Sequence, residues 1–572
     1  MFSNVEIKRI REFLIDKNMF KNKILNKYIK ILTVCVFVIL IAVQSSKSFV
    51  LDEMDFPALA HAISQTYRPI FYHGEVNAHE LGTFHPTLYA NSLALFIRIF
   101  GYSEISVRFF GVICTLLSAY LLILIFRQLI KKRNEVAETL FLGLYLLNPY
   151  TIASTTLPDI DSTIMPVVIL LFIYVSLKYL LQKKDMSNKA VWILGALFGL
   201  TLWSKLTTPL IIPFLLACLA IITSKNYKKS LLFTLKVTLI GALGFILTYY
   251  LYCRLVNVST TYTYHFLVAS FTKGTKTKGY LAGAIDNLKY VRSFVYWPTI
   301  PIVGLLGISF LGVMFDKNKD EKTRIKKLLV LTSLLITLFY VALIAPFGGF
   351  FKYPFPVFGL GILTIIFFYD RYLKSVRISI ILAFIAATLG FFIEKHFWKD
   401  SMFLNGKPFA GLTILAIIII VSFVLLKVNT WRIAASIFVL AIFFAIGFQL
   451  SISRVQAIST YSTKYDYGKQ GMDQTEAYLR SVTTPNEVIW SMKDIGYYVN
   501  DRYIESYGYY FDPALQNNLI RLLKAGKVRY YVVSTGIGED NVDDYPNVKP
   551  ILDTYAVPVK QFGNSIIYKS KA

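Results

Sequence analysis

Residues 105–133 read ISVRFFGVICTLLSAYLLILIFRQLIKKR. The stretch 105–129 is apolar almost throughout, and Lys131-Lys132-Arg133 follow it directly. A run of that length is long enough to cross the ~30 Å hydrocarbon core as a helix. The same pattern recurs along the chain. Apolar runs lie near 31–49, 136–155, 163–181, 189–203, 206–223, 230–253, 298–315, 326–345, 354–369, 376–393, 408–426 and 431–450. Counting 105–129, they predict about thirteen membrane-spanning helices. Composition agrees. Of 572 residues 55% are hydrophobic, the mean hydropathy is +0.54, and 16% are charged. A soluble chain carries about a quarter charged residues, so soluble classes are excluded. The aromatic share is also 16%, which suits buried apolar helices and interfacial belts.

Charge sets the orientation. Lys131-Lys132-Arg133 follow the second run, Lys183-Lys184 the fourth, and Lys225, Lys228 and Lys229 the sixth. Lys317, Lys319, Lys322, Arg324, Lys326 and Lys327 follow the eighth, Arg371, Lys374 and Arg377 the tenth, and Lys427 and Arg432 lie between the last two. Basic residues in alternate short loops mark the cytoplasmic side. All of these fall on the side of the N-terminus, so that terminus is expected inside and the region after 450 outside. The net charge of +26 then needs no nucleic acid: residues 451–572 hold 14 Lys+Arg against 13 Asp+Glu, leaving +25 for the membrane part.

Residues 1–30 are too long and too charged for a cleavable signal. Ile7, Ile10, Phe13, Leu14, Phe20, Leu25 and Ile29 interleave with Lys8, Arg9, Arg11, Lys17, Lys21 and Lys27. The segment reads either as a basic amphipathic helix on the cytoplasmic surface or as a basic tail. Cys35, Cys114, Cys218 and Cys253 all lie within or at the end of apolar runs, with no CxxC and no Cys/His cluster. A thiolate metal site and a disulfide framework are therefore not expected.

The expected organisation is a cytoplasmic segment 1–30, a membrane domain 31–450 with external acidic loops 50–104 and 156–162, and an external domain 451–572. Within the first loop, Leu88 to Phe100 is apolar but short, and is expected along the interface. A further basic loop covers 254–297. The tail has helical patterns near Met472–Val482 and Pro513–Ala525 and strand-like runs at Glu487–Trp490, Val528–Ser534 and Ser565–Tyr568. With Gly508, Gly526 and Gly563 as punctuation it reads as a small α/β domain. It has no nucleophile elbow, P-loop or metal motif.

Two acidic clusters on the outer face carry the chemistry. Asp52-Glu53-x-Asp55 follows the first run, and Pro158-Asp159-Ile160-Asp161 sits between the third and fourth. Carboxylates beside hydrocarbon are costly and mark function by default, although a solvated helix flank or a polar turn would also hold acids. A carboxylate there could act as general base toward an acceptor hydroxyl. Asp52, Asp159 and Asp161 could instead hold a divalent cation through oxygen. His85, in Thr83-Phe84-His85-Pro86-Thr87-Leu88-Tyr89, could donate to a phosphate or a leaving oxygen. Arg108, Lys205 and Lys352, the last in Lys352-Tyr353-Pro354, supply outer-face cations. They would hold a lipid-borne phosphate, or would snorkel to the interface.

These pieces together resemble the membrane glycosyltransferases of the glycosyltransferase C fold, within the group of protein O-mannosyltransferases and lipid A aminoarabinose transferases. The resemblance rests on Leu51-Asp52-Glu53, His85-Pro86-Thr87-Leu88-Tyr89, Phe100-Gly101-Tyr102-Ser103-Glu104-Ile105-Ser106-Val107-Arg108, Pro158-Asp159 and Phe351-Lys352-Tyr353-Pro354. It covers roughly 30–450. It implies an inverting transfer of one sugar from a polyprenyl-phosphate donor to a glycolipid, cell-envelope glycan or protein outside the cytoplasm. It implies catalytic places for Asp52, Glu53 and Asp159, and substrate contacts for His85, Arg108, Asp161, Lys205, Lys352 and Tyr353. Membrane lipid is the expected surrounding, the cell membrane the location and a monomer the expected state. The family's second proline after His-Pro is Thr87 here, and the aminoarabinose enzymes have Glu-Lys in place of Phe84-His85. Two other classes fit the outer acids: a transporter of lipid-linked sugar, and a glycan polymerase or ligase using diphosphate-linked donors. The absence of half-to-half symmetry and of midplane charges speaks against the transporter.

Overall fold

A computed structural model of the chain describes residues 23–45, 49, 54–69, 85–260, 263, 300–343 and 352–372, and in the tail 471–484, 487–500, 503–506, 513–526, 528–534, 545–563 and 565–572. The runs expected over 376–393, 408–426 and 431–450, the amphipathic reading of the first 22 residues, and Asp52 and Glu53 lie outside the described residues. The chain divides into two compact units. One comprises Met1–Val43, Arg108–Tyr249 and His265–Val455, and the other Gln44–Val107, Tyr250–Tyr264 and Gln456–Ala572.

The first unit is all helix among the described residues. It contains α1 (Lys23–Ser45, up to Val43), α4 (Glu104–Leu129, from Arg108), α5 (Glu135–Leu146), α6 (Pro149–Thr156) and α7 (Ile164–Leu177). It continues with α8 (Asn188–Ser204), α9 (Ile212–Ser224), α10 (Tyr227–Val256, up to Tyr249), α11 (Ile300–Met314), α12 (Glu321–Leu343) and α13 (Phe355–Tyr372). The second unit holds α2 (Asp55–Thr66) and α3 (Leu88–Phe100) besides the tail. By length and composition four of the described helices can cross a membrane: Asn26–Val43, Glu104–Leu129, Ile164–Gln182 and Tyr227–Val256.

Two expectations change in shape. The run 136–155 is not one helix but two. Asn148 ends the first and caps the second, its side chain accepting from Tyr150 N–H at 2.9 Å, and Pro149 opens α6 where its missing N–H costs nothing. The run 206–223 begins as a 3₁₀ turn, Thr208–Ile211, before α9. In addition, α2 occupies part of the stretch read as loop, while α3 coincides with the short apolar segment 88–100.

Polar contacts tie several helices of the first unit together. Buried Glu138 accepts from Lys30 and Arg127 at 2.8 Å each and from Arg133 at 3.3 Å, tying α1, α4 and α5. Asn134 donates to Asp370 at 2.9 Å, Arg371 pairs with Asp316 at 3.3 Å, and Lys184 pairs with Glu321. All of these residues belong to loops or helix ends that the charge pattern assigns to one face. Between α8 and α10 the backbones approach directly. A Cβ on Gly241 would lie 2.7 Å from Gly195 O and 3.0 Å from Gly199 N, so the small residues of Gly195-Ala196-Leu197-Phe198-Gly199 form the crossing.

The described residues of the tail form helices and strands, with more elements than the sequence disclosed. The tail runs α14 (Met472–Val482), β1 (Ile489–Ser491), α15 (Lys493–Asn500), β2 (Tyr503–Glu505) and α16 (Pro513–Ala525). Then come β3 (Tyr530–Ser534), α17 (Tyr545–Tyr555), β4 (Ala556–Phe562) and β5 (Ser565–Ser570). The sheet order is β2-β1-β3-β5-β4, parallel across β2-β1-β3 and antiparallel across β3-β5-β4. Trp490, Leu519, Leu523, Tyr531, Val533, Val548, Leu552 and Tyr568 fill its core.

Candidate active site

The short link between α6 and α7 holds the second acidic cluster, and its backbone is pinned from within. Asp159 Oδ1 accepts the Asp161 N–H at 2.9 Å, and the Thr163 hydroxyl donates to the Asp159 carbonyl at 2.6 Å. A side chain bonded to the backbone two residues on is the turn that aspartate favours. The link is also held from α4. Arg108 Nε donates to the Thr156 carbonyl at 3.1 Å, and the hydroxyls of Thr115 and Thr155 meet at 2.9 Å. Gly111 permits this approach, since a Cβ there would fall 2.4 Å from the Thr155 carbonyl oxygen.

Both aspartates are buried and each meets a buried lysine. Lys205, at the end of α8, donates to Asp161 Oδ2 at 2.5 Å; Lys352, just ahead of α13, donates to Asp159 Oδ2 at 2.8 Å. The side chains of Asp161 and Lys205 are 2% and 5% exposed. Two charges so far from water are tolerable only as partners. Aromatic rings close the cluster. The Lys205 ammonium lies 4.7 Å from the Tyr353 ring centre and 5.9 Å from that of Tyr340, and Lys352 is 5.7 Å from Tyr353. The two tyrosines stack at 5.4 Å, and the Tyr340 hydroxyl bonds to that of Thr208. The electronegative ring faces stabilise the ammonium groups.

The two carboxyls differ. Burial would raise Asp159, but the ammonium groups of Lys352 and Lys205 outweigh it and hold its carboxyl below the ordinary range. For Asp161, burial and the neighbouring Asp159 charge outweigh Lys205 and push it up to about 6. Lys205 is correspondingly raised: burial opposes its charge, yet Asp161 more than compensates. Asp161 Oδ1 is buried with no hydrogen-bond partner among the described residues, as is the Ser162 hydroxyl.

The structure therefore gathers five residues singled out from the sequence: Asp159, Asp161, Lys205, Lys352 and Tyr353. Arg108 stands behind them as a buttress of the acidic link. His85 belongs to the second unit, half-buried at the bend ahead of α3. As donors for a divalent ion the aspartates fit poorly, since each carboxylate already carries an ammonium that a dication would have to displace. Among the described residues no three His, Cys, Asp or Glu side chains gather. Sequence reading missed Tyr340, Thr208 and Gly111. The single signal was a lone phenol in the apolar run 326–345, since buried tyrosine hydroxyls need partners.

Comparison with known proteins supports the resemblance drawn from the sequence. The family model described as dolichyl-phosphate-mannose-protein mannosyltransferase matches residues 84–252. The fold is that of ArnT from Cupriavidus metallidurans. Its crystal structure bound to undecaprenyl phosphate superposes with a TM-score of 0.63 at 14% identity, covering 94% of this chain and 97% of ArnT. The apo form of the same protein gives 0.60 at 16% identity with the same coverage. No curated protein matches the chain by sequence. The chain thus has the architecture of a multi-pass membrane glycosyltransferase of the glycosyltransferase C fold.

Proposed function

We propose that this protein transfers a single sugar from a polyprenyl-phosphate donor to an acceptor at the extracytoplasmic face of the cell membrane, with inversion at the anomeric carbon. The observation that carries the reading is the buried cluster of Lys205, Lys352, Asp159 and Asp161, on a fold shared with a protein crystallised with undecaprenyl phosphate. An ammonium has three N–H donors, so one carboxylate does not exhaust it. Lys205 and Lys352 are the cations for the donor phosphate, and Asp159 and Asp161 keep them charged and aligned before the donor arrives. Tyr353 lines the same place.

In this reading Asp52, with Glu53 beside it, removes the proton from the acceptor hydroxyl. The acceptor oxygen bonds to the anomeric carbon while the bond from that carbon to the phosphate oxygen breaks. The electron pair leaves with the prenyl phosphate, which departs ionised and needs electrostatic stabilisation rather than a proton. His85 serves the substrate from the 50–104 loop. The acceptor is a glycolipid, a cell-envelope glycan or a protein, the N-terminus is cytoplasmic, the tail is external and the working state is a monomer.

The test is transfer by purified protein from radiolabelled polyprenyl-phosphate mannose, glucose or aminoarabinose to a membrane extract, with and without chelator. Label leaving the prenyl phosphate for a new product is the expected result, and Asp52→Asn should abolish most of it while folding and inserting normally. Tight prenyl-phosphate binding with no donor consumed would replace the reading with transport.

A further inference from the structure

No step of the proposed reaction involves the tail, yet the tail holds the outer loop at two points within the second unit. Helix α15 presents Tyr497 and Tyr498 side by side, with rings 5.0 Å apart at 80°. Neighbours on a helix diverge by about 100°, so the two side chains reach different partners. The Tyr498 hydroxyl accepts the backbone N–H of Phe49. The buried Phe49 ring meets Tyr497 edge-on at 6.0 Å and 76°. The Tyr497 hydroxyl bonds to that of Tyr102, with the rings 6.4 Å apart at 68°. Tyr102 in turn stacks on His61 of α2 at 4.0 Å and 14°.

Phe49 and Tyr102 bracket one stretch of chain. That stretch carries Asp52, Glu53 and His85, three of the residues assigned to the reaction above. The helix that pins its two ends is itself firmly seated. Arg480 of α14 donates to the Tyr498 carbonyl at 2.7 Å. Gly496 lets α15 lie against β2, since a Cβ there would fall 2.2 Å from Cγ of Tyr503. The pins are thus anchored to a sheet domain and not to another loop.

We infer that Tyr497 and Tyr498 are positioning residues: α15 clamps Phe49 and Tyr102, at the two ends of the acidic outer loop, and so holds the chain on either side of Asp52, Glu53 and His85. The inference rests on the proposed sugar transfer, and it gives the tail a part in catalysis without a catalytic group of its own. Displacement of a reacting group by about 1 Å can cost on the order of 100-fold in rate. Loss of the clamp should therefore appear in turnover, while donor binding, which rests on the lysine cluster, is spared.

The experiment compares full-length wild type with Tyr497→Phe, Tyr498→Phe and the double variant. Each change removes a hydroxyl and keeps the ring. Three quantities are read: kcat and KM for a labelled polyprenyl-phosphate sugar, the thermal midpoint, and amide exchange of peptides spanning 49–66 and 97–104. The double variant should lose roughly 10- to 100-fold in kcat, with donor KM and midpoint nearly unchanged and faster exchange in both peptides. Unchanged exchange together with unchanged kcat would overturn the inference, as would a rise in KM alone. If the double variant fails to fold, the single variants carry the same comparison. Should wild type transfer no label from any donor, the glycosyltransferase reading falls. The exchange arm then still decides whether the clamp exists, with unchanged exchange refuting it.

Discussion

Replacing Asp161 by Leu would leave the Lys205 ammonium in a dry site with its nearest counter-charge gone. Both side chains are nearly sealed from solvent, and their 2.5 Å contact is the only carboxylate bond to Lys205 among the described residues. Breaking such a buried pair from one side costs about 3–5 kcal/mol. The rings of Tyr340 and Tyr353 stand beside Lys205 in wild type and variant alike, so they offset none of the loss. Removing both charges, as Asp161→Leu with Lys205→Met, should return stability to within about 1–2 kcal/mol of wild type, because no uncompensated charge remains. The four proteins form a double-mutant cycle, measured by equilibrium unfolding in mixed micelles under one buffer. The expected coupling is at least about 4 kcal/mol. A coupling below about 1 kcal/mol, typical of exposed pairs, would show that water reaches the cluster and would refute the argument. The double variant should also be inactive, separating the stability of the site from its use.

Donor affinity should depend on pH through Asp161. Its carboxyl is raised from 3.8 to about 6, so the folded protein takes up this proton at a pH where the unfolded chain does not. Stability from this group therefore increases as pH falls through 6 toward 4, and the released Lys205 should bind a non-titrating phosphodiester donor more tightly at pH 5.5 than at 7.5. Asp161→Asn should flatten that dependence in a binding titration. Gly241→Val should destabilise by about 1–3 kcal/mol, because overpacking must part α8 from α10; a thermal midpoint equal to wild type would contradict the close approach. Glu138→Gln removes the charge shared by Lys30, Arg127 and Arg133 and should cost about 1.5–3 kcal/mol in the same unfolding assay, without altering donor KM.

Much of the architecture was legible because helices in lipid announce themselves by length and by the charges at their ends. The runs 105–129 and 163–181 were found within a few residues, and so was the short apolar segment 88–100. The break at Asn148-Pro149 was written in the sequence as a cap followed by a first-turn proline, but apolar residues on both sides masked it. Helix α2 was missed because it opens on Asp55 and Pro57, residues that read equally well as a turn in a polar loop. For the site, residue types were readable and partnerships were not. Asp161 and Lys205 are 44 positions apart and Asp159 and Lys352 are 193 apart, so only the packing of α7, α8 and α13 could pair them. That pairing also changes what the acids do: read alone they suggest a base or a metal ligand, and read with their lysines they are counter-ions. The tail yielded least, since β1 and β2 have three residues each and give alternation no room to show.

The crossing of α8 and α10 at Gly195, Gly199 and Gly241 sets backbone against backbone, with the side chains of Ile240 and Phe198 laid over the glycines. The three glycines have no rotamers to freeze and almost no apolar side-chain surface of their own to withdraw from solvent. Their contact therefore carries little heat-capacity change, whereas the packing in the tail's sheet core weakens on cooling. As temperature falls, this pair of helices should hold while the sheet core of the tail loses stability first, and a cold-sensitive defect in this protein would begin in the sheet and not at the crossing of α8 and α10.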